Sequence, residues 1–198
     1  MLNRTEGEPK AKAWLRRAAV WLLWIALWQA IAAMVRNPII FVGPFEMLRA
    51  LWDQLFDAVF WQTIGHSFGK ISLGFLGAFA TGLVLGSLAY RFPFLGELLE
   101  PFMSLIRSIP VASFVILALI WIGSGSLSVC ISYLVVLPIV YVNTIAGLAS
   151  TDLRLLEMAR VFHMPALKKV RFIYVPALMP YLVSGCKTAL GMSWKSGI

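Results

Sequence analysis

The sequence predicts an all-α integral membrane protein, a polytopic bundle of helices that cross the bilayer. Apolar residues make up 60% of the 198 residues and charged residues only 13%, whereas soluble domains carry about 25% charged residues. The mean hydropathy is +0.83. The cations behind the formal net charge of +8 lie between long apolar runs, which favours membrane topology signals over a nucleic-acid surface.

The first predicted span covers residues 18–35 and follows Arg16 and Arg17. It is too long for a cleaved signal peptide and lacks a small-residue cleavage site. We therefore expect a cytosolic segment, 1–17, and a single transmembrane domain, 18–198. Four further apolar runs long enough to span bring the visible spans to five: 71–90, about 98–122, 127–148 and about 172–194.

The loop between the first two spans predicts an interfacial helix at about 44–61. Pro44 suits a first helical position, and apolar residues then recur at helical spacing beside charged ones. The second span carries Gly74, Ala78, Gly82 and Gly86 at four-residue intervals. Such a stripe lets another helix approach closely, either within this chain or on a second membrane subunit.

Two basic clusters set the predicted orientation. Five Lys and Arg residues precede the first span, and five more lie between the fourth and fifth spans, in the loop at about 150–171. Because basic loops stay in the cytosol, and four crossings separate the clusters, both indicate a cytosolic N-terminus.

The motifs of several enzyme classes are missing from the sequence. It holds no glycine-rich phosphate loop and no paired histidine–carboxylate motif for a metal. Cys130 and Cys186 lie inside apolar runs without the spacing of a metal site. We therefore predict that the chain is not an enzyme and binds no cofactor or metal of its own.

The loop at 150–171 predicts a short amphipathic helix. Ser150 or Thr151 is the expected N-cap, and one helical face carries Leu155, Met158, Ala159 and Phe162. Pro165 ends this helix or opens the next. A short helix with an apolar face and a basic rim suits either a groove on a soluble partner or an anionic lipid surface.

Three polar residues at membrane depth are candidates for a translocation path: Arg107, Asn143 and Lys187. Ionisable groups there are costly and usually face a cavity or partner. Arg107 and Lys187 could also reach an interface by extending their long side chains.

The loop resembles the Glu-Ala-Ala loop of membrane subunits of bacterial ATP-binding-cassette importers. That motif is Glu-Ala-Ala, three residues, Gly, nine residues, then Ile-x-Leu-Pro. Matching residues are Glu157, Ala159, Ile173 and Pro176, whereas Met158, His163 and Val175 replace an alanine, the glycine and the leucine. Three other stretches resemble the nitrate, sulfonate, taurine and bicarbonate branch: 107–110, 121–125 and 176–181.

The resemblance implies the permease subunit of an importer in the bacterial cytoplasmic membrane. The implied partners are a dimer of cytosolic ATPases that binds ATP and Mg²⁺, a second permease subunit, expected to be a second copy, an extracytoplasmic substrate-binding protein and membrane lipid. The implied ATPase-coupling residues are Leu155, Glu157, Met158, Ala159, Arg160, Phe162, His163 and Pro165. A glycine tolerates positive φ more readily than histidine, so His163 puts the family's turn geometry in question.

Members of this family usually carry a sixth span, so we expect the natural reading frame to continue into another apolar stretch of about 20 residues. Without such a helix, Gly185, Ala189 and Gly191 would face lipid rather than a neighbouring helix.

Two other classes remain open. A secondary transporter would use broken helices and intramembrane charges as a midplane site but would require inverted repeats. A membrane assembly subunit would show no substrate-dependent ATP turnover in its complex.

Overall fold

Helices make up nearly all of the structure, a computed structural model that describes residues 10–35, 37 and 40–197. Arg4, Glu6 and Glu8 lie outside the described residues. In the described part, the helices are α1 (Lys10–Val35), α2 (Pro44–Gln54), α3 (Ala58–Arg91), α4 (Pro93–Ser108), α5 (Val111–Ile122), α6 (Leu127–Ala149), α7 (Leu153–Val161), α8 (Ala166–Lys169) and α9 (Val175–Gly197). The predicted all-α class is confirmed.

Among the described residues, three helices are long and apolar enough to cross a membrane, namely α1, α3 and α6. Together α4 and α5 pass the same test, but they are bent by 99°, so the third predicted span is a broken one. The fifth predicted span corresponds to α9, which has 23 residues, but α9 is not among the described helices that are apolar enough to cross a membrane. The structure therefore supports three or four of the five predicted spans.

The break between α4 and α5 follows from the chemistry of Pro110. Its ring disfavours a helical conformation at Ile109, which is extended with φ −80° and ψ 126°. Proline also lacks the N–H that would continue the helical hydrogen bonds. Helix α5 therefore starts afresh, with Pro110 as its N-cap and the Ser113 N–H donating to the Pro110 carbonyl at 3.0 Å.

The chain divides into two compact units, 1–62 and 63–198. In the first unit, the Trp28 indole on α1 donates to the Val42 carbonyl at 3.0 Å. Pro44 opens α2 as predicted, and the Glu46 carboxylate accepts from the Gly43 N–H at 2.8 Å. This contact satisfies one of the free N–H groups at the start of the helix.

The helix predicted at about 44–61 is shorter than expected. It ends at Gln54, and a new helix begins at Ala58. The Asp57 carboxylate accepts from the Val59 N–H at 3.0 Å, which caps the new helix. The last residues of the predicted interfacial helix, from Ala58 onward, belong instead to α3.

In the second unit, the small-residue stripe of α3 packs against α6. A Cβ added at Gly82 would lie 2.9 Å from the Val140 Cβ, and one at Gly86 would lie 2.7 Å from the Thr144 Cβ. At Gly74 an added Cβ would collide with the Val129 carbonyl oxygen. The stripe therefore serves packing within this chain, the first of the two predicted alternatives.

A buried hydrogen bond joins the same two helices. The Ser132 hydroxyl on α6 donates to the Ile71 carbonyl on α3 at 3.1 Å. Ser132 is completely buried, and an unsatisfied hydroxyl at such a place would be costly. The bond therefore fixes the register of α6 against α3.

The other side of α6 packs against α9. An added Cβ at Gly185 would lie 2.9 Å from the Asn143 Cγ, and one at Gly147 would lie 2.7 Å from the Leu178 Cδ1. Ala189 is completely buried, whereas Gly191 has nothing within 4 Å of an added Cβ. Gly185 and Ala189 therefore contact a neighbour within the chain, and Gly191 does not.

Contacts at the two ends of the second unit show the direction in which each of its long helices runs. At one end Gly197 of α9 meets Ile71 of α3, near the start of α6. At the other end the rings of Tyr90 and Tyr174 lie 6.4 Å apart, near the end of α6. Helix α6 is therefore parallel to α3 and antiparallel to α9, as expected if the bent pair α4 and α5 makes one crossing between α3 and α6.

Candidate functional site

The loop between α6 and α9 begins with a cap that differs from the one predicted. Asp152 is the N-cap of α7, and its carboxylate accepts from the Arg154 N–H at 2.9 Å. The expected N-caps, Ser150 and Thr151, were wrong. The Ser150 hydroxyl donates back to the Gly147 carbonyl at 2.8 Å, and Thr151 is buried. Asp152 therefore binds the first turn of α7 through its own carboxylate.

Helix α7 ends in a Schellman motif built on His163. The Met164 N–H donates to the Ala159 carbonyl at 2.9 Å, and the His163 N–H donates to the Arg160 carbonyl at 3.1 Å. This pairing requires a left-handed residue after the C-cap, and His163 has φ +48°. The turn therefore has the left-handed backbone that a glycine favours, although histidine occupies it.

The apolar face of α7 differs in one residue from the predicted face. Ala159 is completely buried within the chain, whereas Leu155 is 43%, Met158 44% and Phe162 75% exposed. Ala159 therefore contributes to packing, and the three larger residues form the apolar surface available to a partner. We call Leu155, Met158 and Phe162 the α7 apolar row.

Charged residues surround the apolar row. Arg154, Arg160 and Glu157 are exposed, and in the described part of the chain no ion pair involves Glu157. Pro165 is the N-cap of α8, so it opens the next helix. The exposed cations after it, Lys168 and Arg171, extend the basic surface.

A π-helical turn, Val170–Tyr174, leads from α8 into α9. The Val175 N–H donates to the Val170 carbonyl, a spacing of five residues rather than the four of an α-helix. Pro176 explains the widened turn, because it has no N–H for the Phe172 carbonyl and its ring crowds that carbonyl. The Ile-x-Val-Pro part of the predicted motif is therefore the site where the helix widens.

Arg107 lies beside the broken span. Its guanidinium forms an ion pair with the Glu100 carboxylate at 3.4 Å, and both side chains are well exposed. Arg107 also lines a cavity of about 280 Å³ whose other lining residues are apolar, from both sides of the break, from α6 and from Met192 of α9. The side chain thus places one cation at the edge of an apolar cavity.

The other two candidate path residues lie on neighbouring helices. Asn143 is half-buried, donates to the Ile139 carbonyl at 2.8 Å and packs on Gly185. Lys187 is exposed on α9. Among the described residues, no hydrogen bond or ion pair joins Arg107, Asn143 and Lys187 to one another.

Tyr141 is a polar residue of this region that sequence reasoning missed. It is 1% exposed and its hydroxyl has no hydrogen-bond partner among the described residues. Glu100 and Arg107 lie close enough to interact with it electrostatically. Its position in a long apolar run, Leu127–Ala149, gives no signal of this proximity, which depends on how α4 packs on α6.

Residues 78–198 match the family described as binding-protein-dependent transport system inner membrane component. The match includes the whole loop at 150–171 and all three candidate path residues. The chain belongs to this family. It is therefore a membrane-embedded transport permease, as the resemblance in the loop predicted.

The names of similar proteins agree with this placement. The chain is 24% identical to the nitrate import permease protein NrtB of Synechococcus elongatus, over 94% of this chain and 70% of that protein. It is 26% identical to the putative aliphatic sulfonates transport permease protein SsuC of Bacillus subtilis, over 93% of this chain and 68% of that protein. For the taurine transport system permease protein TauC of Escherichia coli the identity is 24%, over 87% of this chain and 65% of that protein.

Proposed function

We propose that this permease is the transmembrane subunit of an ATP-driven importer of small anions. Similar proteins are named as permeases for nitrate, aliphatic sulfonates and taurine; nitrate and the sulfonates are anions, and taurine carries a sulfonate beside its ammonium group. The predicted substrate class, which also includes bicarbonate, is consistent with these names. A separate cytosolic ATPase dimer supplies the energy by binding ATP and Mg²⁺.

The observation that carries this proposal is the exposed α7 apolar row on a helix held in place at both ends. Asp152 caps the start of α7 and the Schellman motif at His163 closes its end. A helix fixed in this way presents Leu155, Met158 and Phe162 without a large ordering cost on binding. The basic rim favours an acidic border on the partner groove.

The π-helical turn and Pro176 connect this docking helix to the membrane. Helix α9 begins directly after the turn and packs against α6 through Gly185 and Asn143. A displacement of α7 by the ATPase would thus reach α9, where Lys187 lies, through a short connection. We propose Arg107, Asn143 and Lys187 as residues of the translocation path.

The remaining partners follow from the same proposal. A second permease subunit, expected to be a second copy, completes the path, and a substrate-binding protein delivers the anion from the outer side. The protein lies in a bacterial cytoplasmic membrane with its N-terminus in the cytosol, which places the basic loop at 150–171 on the side of the ATPase.

The test compares two leucines in the first turn of α7. Leu155→Asp puts a carboxylate in the apolar row, where burial against the ATPase would be costly. Leu153→Asp makes the same change on the opposite side of the helix, at a side chain that is 72% exposed. Co-purification of the ATPase and ATP-dependent uptake of radiolabelled nitrate, taurine and an alkylsulfonate are measured for both variants.

We expect Leu155→Asp to lower ATPase recovery and uptake at least tenfold, and Leu153→Asp to leave both near wild type. Membrane insertion, measured by the amount of protein in the membrane fraction, should be equal for both. Full assembly and uptake in Leu155→Asp would instead favour a helix that lies on lipid.

A further inference from the structure

One side of α9 carries polar, charged and small residues along its length. At about 100° of rotation per residue, five exposed residues fall within a sector of roughly 100°: Ser184, Lys187, Thr188, Gly191 and Lys195. We call them the α9 polar stripe. Neither cation has a carboxylate within ion-pair distance among the described residues, and α9 itself contains no Asp or Glu.

The opposite side of α9 is fully used in packing. Ala189 and Ser193 are completely buried, Gly185 contacts Asn143, and Gly197 contacts Ile71. The α9 polar stripe is therefore a side of the helix that the described part of the second unit leaves uncovered. An added Cβ at Gly191 would meet nothing within 4 Å, which shows open space beside the stripe.

A lipid environment does not suit the stripe. Lys187 lies near the middle of α9, only two residues from the contact of Gly185 with Asn143 inside the bundle. A cation at that depth usually faces a water-filled cavity or a partner. Contact with lipid suits a neighbouring sector of α9 better, because its exposed residues Val183 (48%) and Leu190 (44%) are apolar.

We propose that the α9 polar stripe lines a water-filled path through the membrane and that Lys187 attracts a small monoanion within it. The charge of the stripe is complementary to an anion, and its hydroxyl groups can replace part of the anion's hydration. Arg107 differs because Glu100 already pairs with it at 3.4 Å. This inference rests on the proposed function in one respect, namely that the anion is the transported solute.

The test measures water access along α9 in the full chain, assembled in bacterial membranes. Cys130 and Cys186 are first replaced by alanine. Single cysteines are then placed in the stripe at Ser184, Thr188 and Gly191, with matched controls at Val183 and Leu190. Because methanethiosulfonates react with the thiolate, which forms in water, the reaction rate of a charged methanethiosulfonate reports hydration at each position.

We expect the stripe cysteines to react at least tenfold faster than the controls. In Thr188→Cys and Gly191→Cys, adding Lys187→Gln should lower the ratio of the anionic ethylsulfonate rate to the cationic trimethylammonium rate by about threefold or more. Lys187→Arg should preserve the ratio. Equal rates at stripe and control positions would overturn the path, and an unchanged ratio in Lys187→Gln would overturn the role of Lys187.

Two further outcomes separate this inference from the proposed function. Stripe cysteines that form disulfides between copies and resist the reagent would mean that a second copy covers the stripe, which overturns the inference alone. A reactive stripe with the expected Lys187 effect, in a chain that supports no ATP-dependent uptake, would leave the inference standing and contradict the proposed function.

Discussion

At the scale of single residues, His163 is a residue with a Cβ in a left-handed backbone conformation that glycine favours. A left-handed conformation costs a residue with a Cβ about 1–2 kcal/mol, although histidine adopts it more often than most side chains do. His163 has φ +48° and completes both hydrogen bonds of the Schellman motif. The motif therefore holds the residue in a conformation that its side chain does not favour.

We predict that His163→Gly stabilises the end of α7 by about 1 kcal/mol, because the left-handed cost disappears. Hydrogen exchange of the Met164 amide, which closes the motif, should slow about fivefold. His163→Val should speed the same exchange, since a β-branched side chain is the least suited to positive φ. Equal exchange in all three proteins would mean that the turn is not strained.

Asp152 shows why neighbouring candidates are hard to separate from the sequence. Ser150, Thr151 and Asp152 all have side chains that cap helices well, and they are consecutive. The choice among them depends on where α6 ends, because the Ser150 hydroxyl binds the Gly147 carbonyl there. That end is set by packing and not by local preference.

At the scale of elements, the glycines of α3 pack directly against α6. We predict that Gly82→Val destabilises the protein by about 1–3 kcal/mol, the usual cost of overpacking. Its Cβ would lie 2.9 Å from the Val140 Cβ and 3.1 Å from the Leu137 carbonyl oxygen, so the helices must separate. The midpoint of thermal unfolding in detergent should fall by roughly 2–4 °C for each kcal/mol lost.

Gly69→Val is the matched control for this prediction. It makes the same change on the same helix, at a position with nothing within 4 Å of an added Cβ. Its unfolding midpoint should stay within about 1 °C of wild type, since surface substitutions usually have small effects. Equal loss in both variants would contradict the packing role of the stripe.

The elements that were predicted well share one property, which is that a single physical signal determines them. Apolar runs located α1, α3 and α6, and the four-residue spacing from Gly74 to Gly86 located a packing face. The 99° bend was not predictable, because Pro110 marks a break but does not set its angle. The α9 polar stripe was missed although its spacing from Ser184 to Lys195 is visible in the sequence.

At the scale of the whole molecule, the packing of the second unit agrees with consecutive crossings. The turn before α6 lies at the end where Gly197 meets Ile71, and the loop with α7 and α8 follows the other end of α6. We therefore predict that a cysteine at Ser126 reacts with an impermeant thiol reagent from outside intact cells.

A cysteine at Ala166 should react only after the membrane is opened, because the basic loop around it is retained in the cytosol. Both side chains are exposed, so a difference in labelling reports sidedness. Cys130 and Cys186 are replaced by alanine in both variants. Labelling of both positions from the same side would contradict the assignment of the crossings.

The glycine contacts between α3 and α6 also bear on how this part of the molecule deforms. Backbones that touch directly have no long side chains between them to change rotamer, and the Ser132–Ile71 hydrogen bond resists sliding. We therefore expect this helix pair to be mechanically stiff. The chain is more flexible at Ile109 and Pro110, because the helical hydrogen bonds are interrupted there. An opening movement in this unit would therefore bend the chain between α4 and α5.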